Sequence, residues 1–297
     1  MRLAALVAAL LAAAASTTAQ YDPFVDARHA SVNGVSLAYV ERGVGGTPVI
    51  LVHGSGADLR TWGYQLQFFG QTRRTLAYSR RFHHPNALPD ATSVYSAAQQ
   101  ADDLAALIRE VASGRADLVA SSYGAVVALL VARDHPALVR RLVLVEPVVF
   151  SLLTPDSPEA REVAALDTAR RHLLDGEAEK AMRAFLSALI APGAFDLVPE
   201  STRAMLRDNL PELTAEARVP LVTMAPRYTC EDARRVTAPT LLIDGGASAA
   251  FLRAMTREVG ACLPRVEPRT VPGAAHAVHA QQAQAFNVLV RDFLDRD

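Results

Sequence analysis

The chain is poor in lysine, cysteine and tryptophan. Its 297 residues include one tryptophan, two cysteines and a single lysine, Lys180, and the formal net charge is -1. Arginine supplies the other basic residues and occurs at most in short pairs, so no basic cluster of the kind that binds nucleic acid is present. Cys230 and Cys262 lack the spacing of metal ligands, and no dinucleotide fingerprint occurs. We therefore expect a small-molecule substrate, without nucleic acid, metal or cofactor.

The sequence leaves the pairing of the two cysteines open. Two cysteines define no disulfide framework, and we expect Cys230 and Cys262 to be separate thiols. An oxidising compartment would permit the alternative, a disulfide between them.

Long apolar runs are absent except at the N-terminus. There Arg2 precedes an unbroken apolar run from Leu3 to Ala15, and the small residues Thr17–Ala19 follow. This order is typical of a secretory signal, and the run is shorter than the 20 or so residues of a membrane span. We expect residues 1–19 to be removed during export to the periplasm or the outside of the cell, leaving no stable membrane span. The alternatives are a retained N-terminal anchor and the frayed start of a cytoplasmic protein.

Buried strands and helices alternate after the N-terminus. Asn33-Gly34 is a hairpin signal between two strands over residues 30–42. Thr47–Val52 and Arg141–Val145 are short apolar runs typical of buried parallel strands, and Ser96–Val111 has the period of a helix. The alternation predicts an α/β fold with a doubly wound, mostly parallel sheet.

That alternation stops between residues 150 and 237 and then resumes. The interval predicts helices and no core strand, and Pro239–Ile243 is the next buried strand. We therefore divide the chain into a first part of the core (residues 20–149), a helical insert (150–237) and a last part of the core (238–297). The helices predicted in the insert are Glu159–Leu174, Glu177–Ile190 and Ser201–Leu210.

A tight turn joins an apolar strand to an apolar helix within Leu118–Ala125. Its sequence matches small-x-Ser-x-Gly, a relaxed form of the nucleophile elbow, in which a serine is exposed on a strained corner. The residues two before and two after that serine must be small, because the strand and helix backbones nearly touch. Ser122 meets this condition with Ala120 and Gly124, whereas Ser121 would be flanked by valine and tyrosine.

Two further loops complete a pattern around this turn. His53-Gly54-Ser55 follows a buried strand well before the turn, and the loop Val271–His276 follows the last predicted strand. In this order the three motifs resemble the α/β-hydrolase family, from about residue 30 to the C-terminus. The resemblance implies an eight-stranded sheet and makes the helical insert a cap after strand 6. No substrate can be inferred from the cap.

The resemblance also assigns roles to individual residues. Ser122 would be the nucleophile and His276 the general base. The backbone N–H groups of Tyr123 and Ser55 would form the oxyanion hole, which stabilises the charge of the tetrahedral intermediate.

The catalytic acid departs from the common family pattern. The family usually has Gly-x-x-Asp after the seventh strand, but here Gly245–Ser248 places a serine at that position. Some relatives take the acid from the end of the sixth strand, where this chain has Glu146. A carboxylate that ends a buried strand needs a partner, and a histidine N–H would be one. We predict Glu146 as the acid, and the alternatives are Asp244 and the absence of a true acid.

Four other residues have a structural interpretation beside the functional one. His279 could compete with His276, but its position predicts an exposed helix residue. Arg80 and His83 could meet an acidic substrate group, although we favour a structural turn whose arginines pair with nearby carboxylates. Trp62 fits packing under the His53 loop better than ligand contact.

These residues together predict an exported serine hydrolase that cleaves an ester or related carbonyl compound through an acyl-enzyme. The alternatives are cofactor-free non-ester chemistry on the same residues, such as carbon–carbon bond hydrolysis or perhydrolysis, and a non-catalytic member that binds a ligand. A serine nucleophile could not support the aspartate-ester chemistry of dehalogenases and epoxide hydrolases. The oligomeric state is left open.

Overall fold

The computed structural model describes residues 26–90, 93, 95–219 and 227–296. The predicted secretory signal, residues 1–19, lies outside these residues. One mixed sheet of eight strands, in the order β1-β2-β4-β3-β5-β6-β7-β8, forms the centre of the fold. The strands are β1 (Arg28–Val32), β2 (Val35–Arg42), β3 (Val49–Val52), β4 (Thr75–Tyr78), β5 (Ala116–Ser121), β6 (Val139–Val145), β7 (Thr240–Gly245) and β8 (Val266–Val271).

The strand directions agree with the prediction of a mostly parallel sheet. Strands β1 and β2 form the predicted hairpin, with Val32 opposite Val35 across the Asn33-Gly34 turn. Strand β2 also pairs antiparallel with β4, and every later pairing is parallel. Parallel strands place their carboxyl ends along the same edge of a sheet, which therefore gathers the loops after β3, β5, β6 and β8.

Helices cover both faces of the sheet. Along β3, Ile50 and Val52 face one apolar layer and Val49 and Leu51 face the other, so the strand is buried on both sides. None of the described helices is both long and apolar enough to cross a membrane. The core helices are α1 (Gly63–Phe69), α2 (Ala97–Val111), α3 (Tyr123–Asp134), α11 (Ala250–Cys262), α12 (Val278–Gln281) and α13 (Ala283–Leu294), with short 3-10 helices at Leu59–Trp62 and Pro136–Leu138.

The insert after β6 is helical and has a small apolar core of its own. Its side chains include Met182, Leu186, Phe195 and Leu213. The predicted helix Glu159–Leu174 is divided into two helices at Val163, and the other two predicted helices are present. The helices Ala194–Leu197, Leu210–Ala217 and Cys230–Arg234 were not predicted. The helices are α4 (Pro158–Glu162), α5 (Ala164–Leu174), α6 (Ala178–Leu189), α7 (Ala194–Leu197), α8 (Glu200–Asp208), α9 (Leu210–Ala217) and α10 (Cys230–Arg234), after a 3-10 helix at Phe150–Leu152.

The expectation of two separate thiols was wrong. Cys230 and Cys262 form a disulfide, with 5.0 Å between their Cα atoms. Cys230 begins α10 and Cys262 ends α11, and these two helices pack against each other although 32 residues separate the cysteines. The spacing in sequence gave no sign of this pairing because the contact depends on how α11 returns over the sheet.

Candidate active site

Ser122 lies at the apex of the strand-to-helix turn. Strand β5 ends at Ser121, whose side chain is buried, and helix α3 begins at Tyr123. Ser122 has φ 56° and ψ -124°, a backbone conformation that is unfavourable for any residue with a side chain. Such strain marks a position that the surrounding structure holds in place. The requirement for small flanking residues therefore identified the serine that lies at the apex of the turn.

The loop His53–Gly56, here named the His-Gly loop, packs directly against this corner. A Cβ atom at Gly124 would lie 2.3 Å from the carbonyl oxygen of His53, and one at Gly54 would lie 2.8 Å from the Cβ of Ser122 and 3.4 Å from its Oγ. The contacts at 2.3 and 2.8 Å leave no room for a side chain at either glycine. The structure thus brings the His-Gly loop and Ser122 together, as the resemblance implied.

Glu146 and His276 are hydrogen-bonded to each other. His276 Nδ1 lies 2.6 Å from Glu146 Oε2, and Glu146 Oε1 accepts the Gly245 backbone N–H at 2.8 Å. Burial alone would raise the pKa of the Glu146 carboxyl, but these hydrogen bonds and the neighbouring imidazole hold that pKa below its ordinary value. Glu146 is therefore a carboxylate that orients an imidazole at the edge of the sheet. Its own φ of 44° places it on a second strained corner, immediately after β6.

Asp244, the alternative acid, lies elsewhere. It is part of β7, and its Oδ2 is 3.3 Å from Arg253 Nε on α11. The carboxylate that meets His276 is thus the one that follows β6. The catalytic roles of Glu146, His276 and Ser122 stay predictions at this point.

The prediction of an exposed His279 was wrong. Its ring is buried and stacks on Trp62, with 4.3 Å between the ring centroids, and its Nε2 lies 3.1 Å from Thr61 Oγ1. Burial, helped by the charge of nearby His276, lowers the pKa of His279 to about 3. Trp62 is buried as predicted. The stacked Trp62 and His279 rings are therefore part of the packing beneath the site.

The two arginines after β4 behave differently. Arg81 forms the predicted ion pair, with two hydrogen bonds of 2.7 Å to Asp103. Arg80 instead is fully buried, donates to the His53 carbonyl oxygen at 2.9 Å and to Gln100, and lies 5.0 Å from the centroid of the Tyr123 ring. The expected carboxylate pairing is therefore confirmed for Arg81, whereas Arg80 supports the His-Gly loop from below.

Comparison with known proteins decides the family. A model of the alpha/beta hydrolase family matches residues 49–288, which include the turn, the His-Gly loop and His276. The chain belongs to the α/β hydrolase family.

Two relatives match this hydrolase over most of its length. The 2-(acetamidomethylene)succinate hydrolase of Mesorhizobium japonicum is 27% identical over 283 residues, which cover 92% of this chain and 96% of that protein. The sn-1-specific diacylglycerol lipase ABHD11 of Mus musculus is 30% identical over 233 residues, which cover 75% of this chain and 72% of that protein.

A solved structure confirms the fold of the hydrolase. The enol-lactonase from Burkholderia xenovorans LB400 superposes with a TM-score of 0.73, at 21% identity, and covers 91% of this chain and 100% of its own. At this identity the likeness extends to the fold alone.

Sequence reasoning missed two carboxyl groups that the hydrolase places on the His-Gly loop. Glu212 and Glu216, on cap helix α9, are both buried. Ser55 Oγ donates to Glu216 Oε1 at 2.9 Å, and the Gly56 N–H donates to Glu212 Oε2 at 3.2 Å. Their spacing of four residues puts both on one face of a helix, which is the signal that could have found them had α9 been predicted.

Proposed function

We propose that this protein is a serine hydrolase that cleaves an ester or a related carbonyl compound through an acyl-enzyme on Ser122. The observation that carries the proposal is the position of Ser122, a serine at a strained strand-to-helix corner against the His-Gly loop. A serine there supports acyl transfer, whereas an aspartate would be needed for epoxide opening through an alkyl ester.

The first half of the proposed reaction forms the acyl-enzyme. His276 Nε2 takes the proton of the Ser122 hydroxyl as its oxygen attacks the substrate carbonyl carbon. The backbone N–H groups of Tyr123 and Ser55 stabilise the negative oxygen of the tetrahedral intermediate. Glu146 stabilises the protonated imidazole through the Nδ1 hydrogen bond, and His276 then passes its proton to the leaving alcohol.

The second half regenerates the enzyme. His276 removes a proton from a water molecule, which attacks the acyl carbon and forms a second tetrahedral intermediate in the same oxyanion hole. When this intermediate collapses, Ser122 leaves and takes the proton back from His276, and the carboxylic acid is released. Besides the substrate and water, these steps use protein side chains and backbone groups.

Two relatives support a carbonyl substrate. One is named as a hydrolase of 2-(acetamidomethylene)succinate and the other as a diacylglycerol lipase, and both extend over more than two thirds of their own length. They differ in substrate, so they support the class of reaction rather than a particular compound.

Hydrolysis assays test the proposal. The wild type, Ser122→Ala and the matched control Ser121→Ala are each assayed with p-nitrophenyl esters and with a vinylogous diketone. We expect ester cleavage by the wild type and the control and a loss of at least a thousandfold in Ser122→Ala. Cleavage of the diketone alone would favour carbon–carbon bond hydrolysis, and full activity of Ser122→Ala would rule out the proposed nucleophile.

We also propose that the protein is exported. The N-terminal pattern of residues 1–19 supports this, and so does the Cys230–Cys262 disulfide, since such bonds persist in oxidising compartments. Expression of the full chain in a Gram-negative host should give a periplasmic protein that begins near Gln20. An uncleaved chain in the cytoplasm would contradict export.

A further inference from the structure

Helix α9 of the cap contacts the His-Gly loop through two carboxyl groups, Glu212 and Glu216, here named the carboxyl pair. Glu216 accepts the Ser55 hydroxyl and Glu212 accepts the Gly56 N–H, so the loop is held at Ser55, the proposed oxyanion donor, and at the residue after it. Tyr95 Oη connects the two carboxyl groups, at 2.5 Å from Glu212 Oε1 and 3.1 Å from Glu216 Oε2. Cap and loop are thus joined through buried polar contacts.

The contacts of the His83 ring point to a proton in this cluster. His83 Nδ1 lies 2.7 Å from the Ala57 carbonyl oxygen, which can only accept, so the ring proton is on Nδ1. His83 Nε2 then presents a lone pair to Glu212 Oε1 at 3.2 Å. Two acceptors at this distance repel each other unless a proton lies between them. The Glu212 carboxyl group, or Glu216 through it, would supply that proton.

The charges around the carboxyl pair support the same conclusion. Among the residues that the structure describes, Arg80 is the cation that acts on both carboxyl groups, and the other titratable groups facing them are His83, Tyr95 and Tyr123. Burial keeps the His83 imidazole neutral by lowering its pKa well below the ordinary range. Two buried carboxylates against one arginine would leave a negative charge uncompensated, and such a charge is costly inside a protein.

We infer that Glu212 and Glu216 are positioning residues that hold the His-Gly loop in its oxyanion-binding geometry while they share one proton. The inference rests on the proposed function, because it assigns the Ser55 N–H to the oxyanion hole. Loss of the shared proton places two like charges in contact beside that hole. The charges repel each other and oppose the developing oxyanion, so Ser122 becomes less reactive.

The relevant ionisation lies in an accessible pH range. Burial, followed by the charge of Glu212, raises the pKa of Glu216 to about 8, and burial also raises the pKa of Glu212. The reactivity of Ser122 should therefore fall on the alkaline side, by up to tenfold per pH unit for a single ionisation. The Glu216→Gln variant has no ionisable group at this position and can still accept the Ser55 hydroxyl through its amide oxygen.

The test measures the rate of Ser122 phosphonylation by a fluorophosphonate probe between pH 6 and 10. The wild type is compared with Glu216→Gln and with Glu179→Gln, which removes an exposed cap carboxylate paired with Arg183. We expect the rate to fall at least tenfold between pH 8 and 10 in the wild type and in Glu179→Gln. In Glu216→Gln the rate should change less than threefold over that range.

The outcomes separate this inference from the proposed function. Equal alkaline losses in the wild type and in Glu216→Gln would overturn the inference while labelling still supports a Ser122 nucleophile. Failure of the wild type to label at any pH would overturn the proposed function. If Glu216→Gln does not fold, hydrogen exchange of the wild type decides: protection of residues 53–58 and 210–217 should decrease together above pH 8, and unchanged protection to pH 10 would contradict the inference.

Discussion

At the scale of single residues, the candidate site is built from backbone strain and close approach. Ser122 and Glu146 both have positive φ angles directly after a buried strand, where ordinary residues are disfavoured. The strand ends and the loops packed on them hold these conformations. Ser122 and His276 could be predicted from local motifs. Glu146 could be predicted only as one of two candidates, because the choice depends on which strand end faces the histidine loop.

Substitution of the acid tests that choice. Glu146→Gln keeps the size of the side chain but loses the charge that stabilises a protonated His276. We expect kcat for a p-nitrophenyl ester to fall by about 10²–10⁴, in line with the cost of the same change in other triads. Asp244→Asn, the matched control, should stay within about twofold, because its carboxylate contacts Arg253 instead. The opposite result would identify Asp244 as the acid.

A single methyl group tests the close approach of the His-Gly loop. Ala at position 54 would place its Cβ 2.8 Å from the Cβ of Ser122, so the loop or the serine must shift. We expect Gly54→Ala to reduce kcat at least tenfold, since shifts of about 1 Å are costly in an active site. Gly63→Ala is the control, because a Cβ there meets nothing within 4 Å. Equal activity of the two variants would show that the contact is unimportant.

At the scale of elements, the sheet was more predictable than the cap. Parallel strands are buried on both faces and therefore stand out as continuous apolar runs, as in β3, β5 and β6. Helix α9 was missed because Pro211 appeared to end the preceding helix. Proline is in fact well accommodated in the first turn of a helix, where its missing N–H is not needed, and α9 begins at Leu210.

The disulfide between α10 and α11 should stabilise the fold without serving the chemistry. Neither helix supplies a proposed site residue, so a Cys230→Ser/Cys262→Ser variant should keep its ester hydrolysis. Its free energy of unfolding should decrease by about 2–4 kcal/mol, because the cross-link limits the unfolded chain. Urea unfolding with and without a reductant measures this. A wild type whose unfolding midpoint is the same with and without reductant would contradict the prediction.

At the scale of the whole molecule, the cap and the core meet through buried titratable groups that no sequence pattern brings together. Glu212 and Glu216 contact Ser55, Gly56 and Tyr95, residues that lie more than a hundred positions away in the chain. Contacts of this kind depend on how the cap folds back over the sheet edge. Local motifs therefore identified the core residues of the site but not the cap residues that contact them.

The same groups should give the molecule a pH-dependent stability. The pKa of Glu216 is raised from an ordinary 4.5 to about 8, so its contribution to stability is complete below about pH 4.5 and is lost as the pH rises to about 8. His279 has the opposite sign, since its pKa is lowered from 6.5 to about 3. Its contribution is complete above pH 6.5 and is lost as the pH falls toward 3.

Urea unfolding at pH 4, 6 and 8 measures these contributions. Between pH 6 and 8 the free energy of unfolding should decrease in the wild type and decrease less in Glu216→Gln. Between pH 6 and 4 the loss caused by His279 should be larger in Glu216→Gln, because that variant lacks the opposing gain from Glu216. An identical alkaline loss in the two proteins would show that Glu216 does not carry the buried proton.

The central claim is that Ser122 is the nucleophile, and mass spectrometry of a fluorophosphonate adduct tests it most directly. The folded protein is labelled near neutral pH, digested and mapped to locate the modified serine. We predict a single adduct on Ser122, no adduct in Ser122→Ala and undiminished labelling of Ser121→Ala. Modification of Ser121, or labelling that persists in Ser122→Ala, would contradict the assignment.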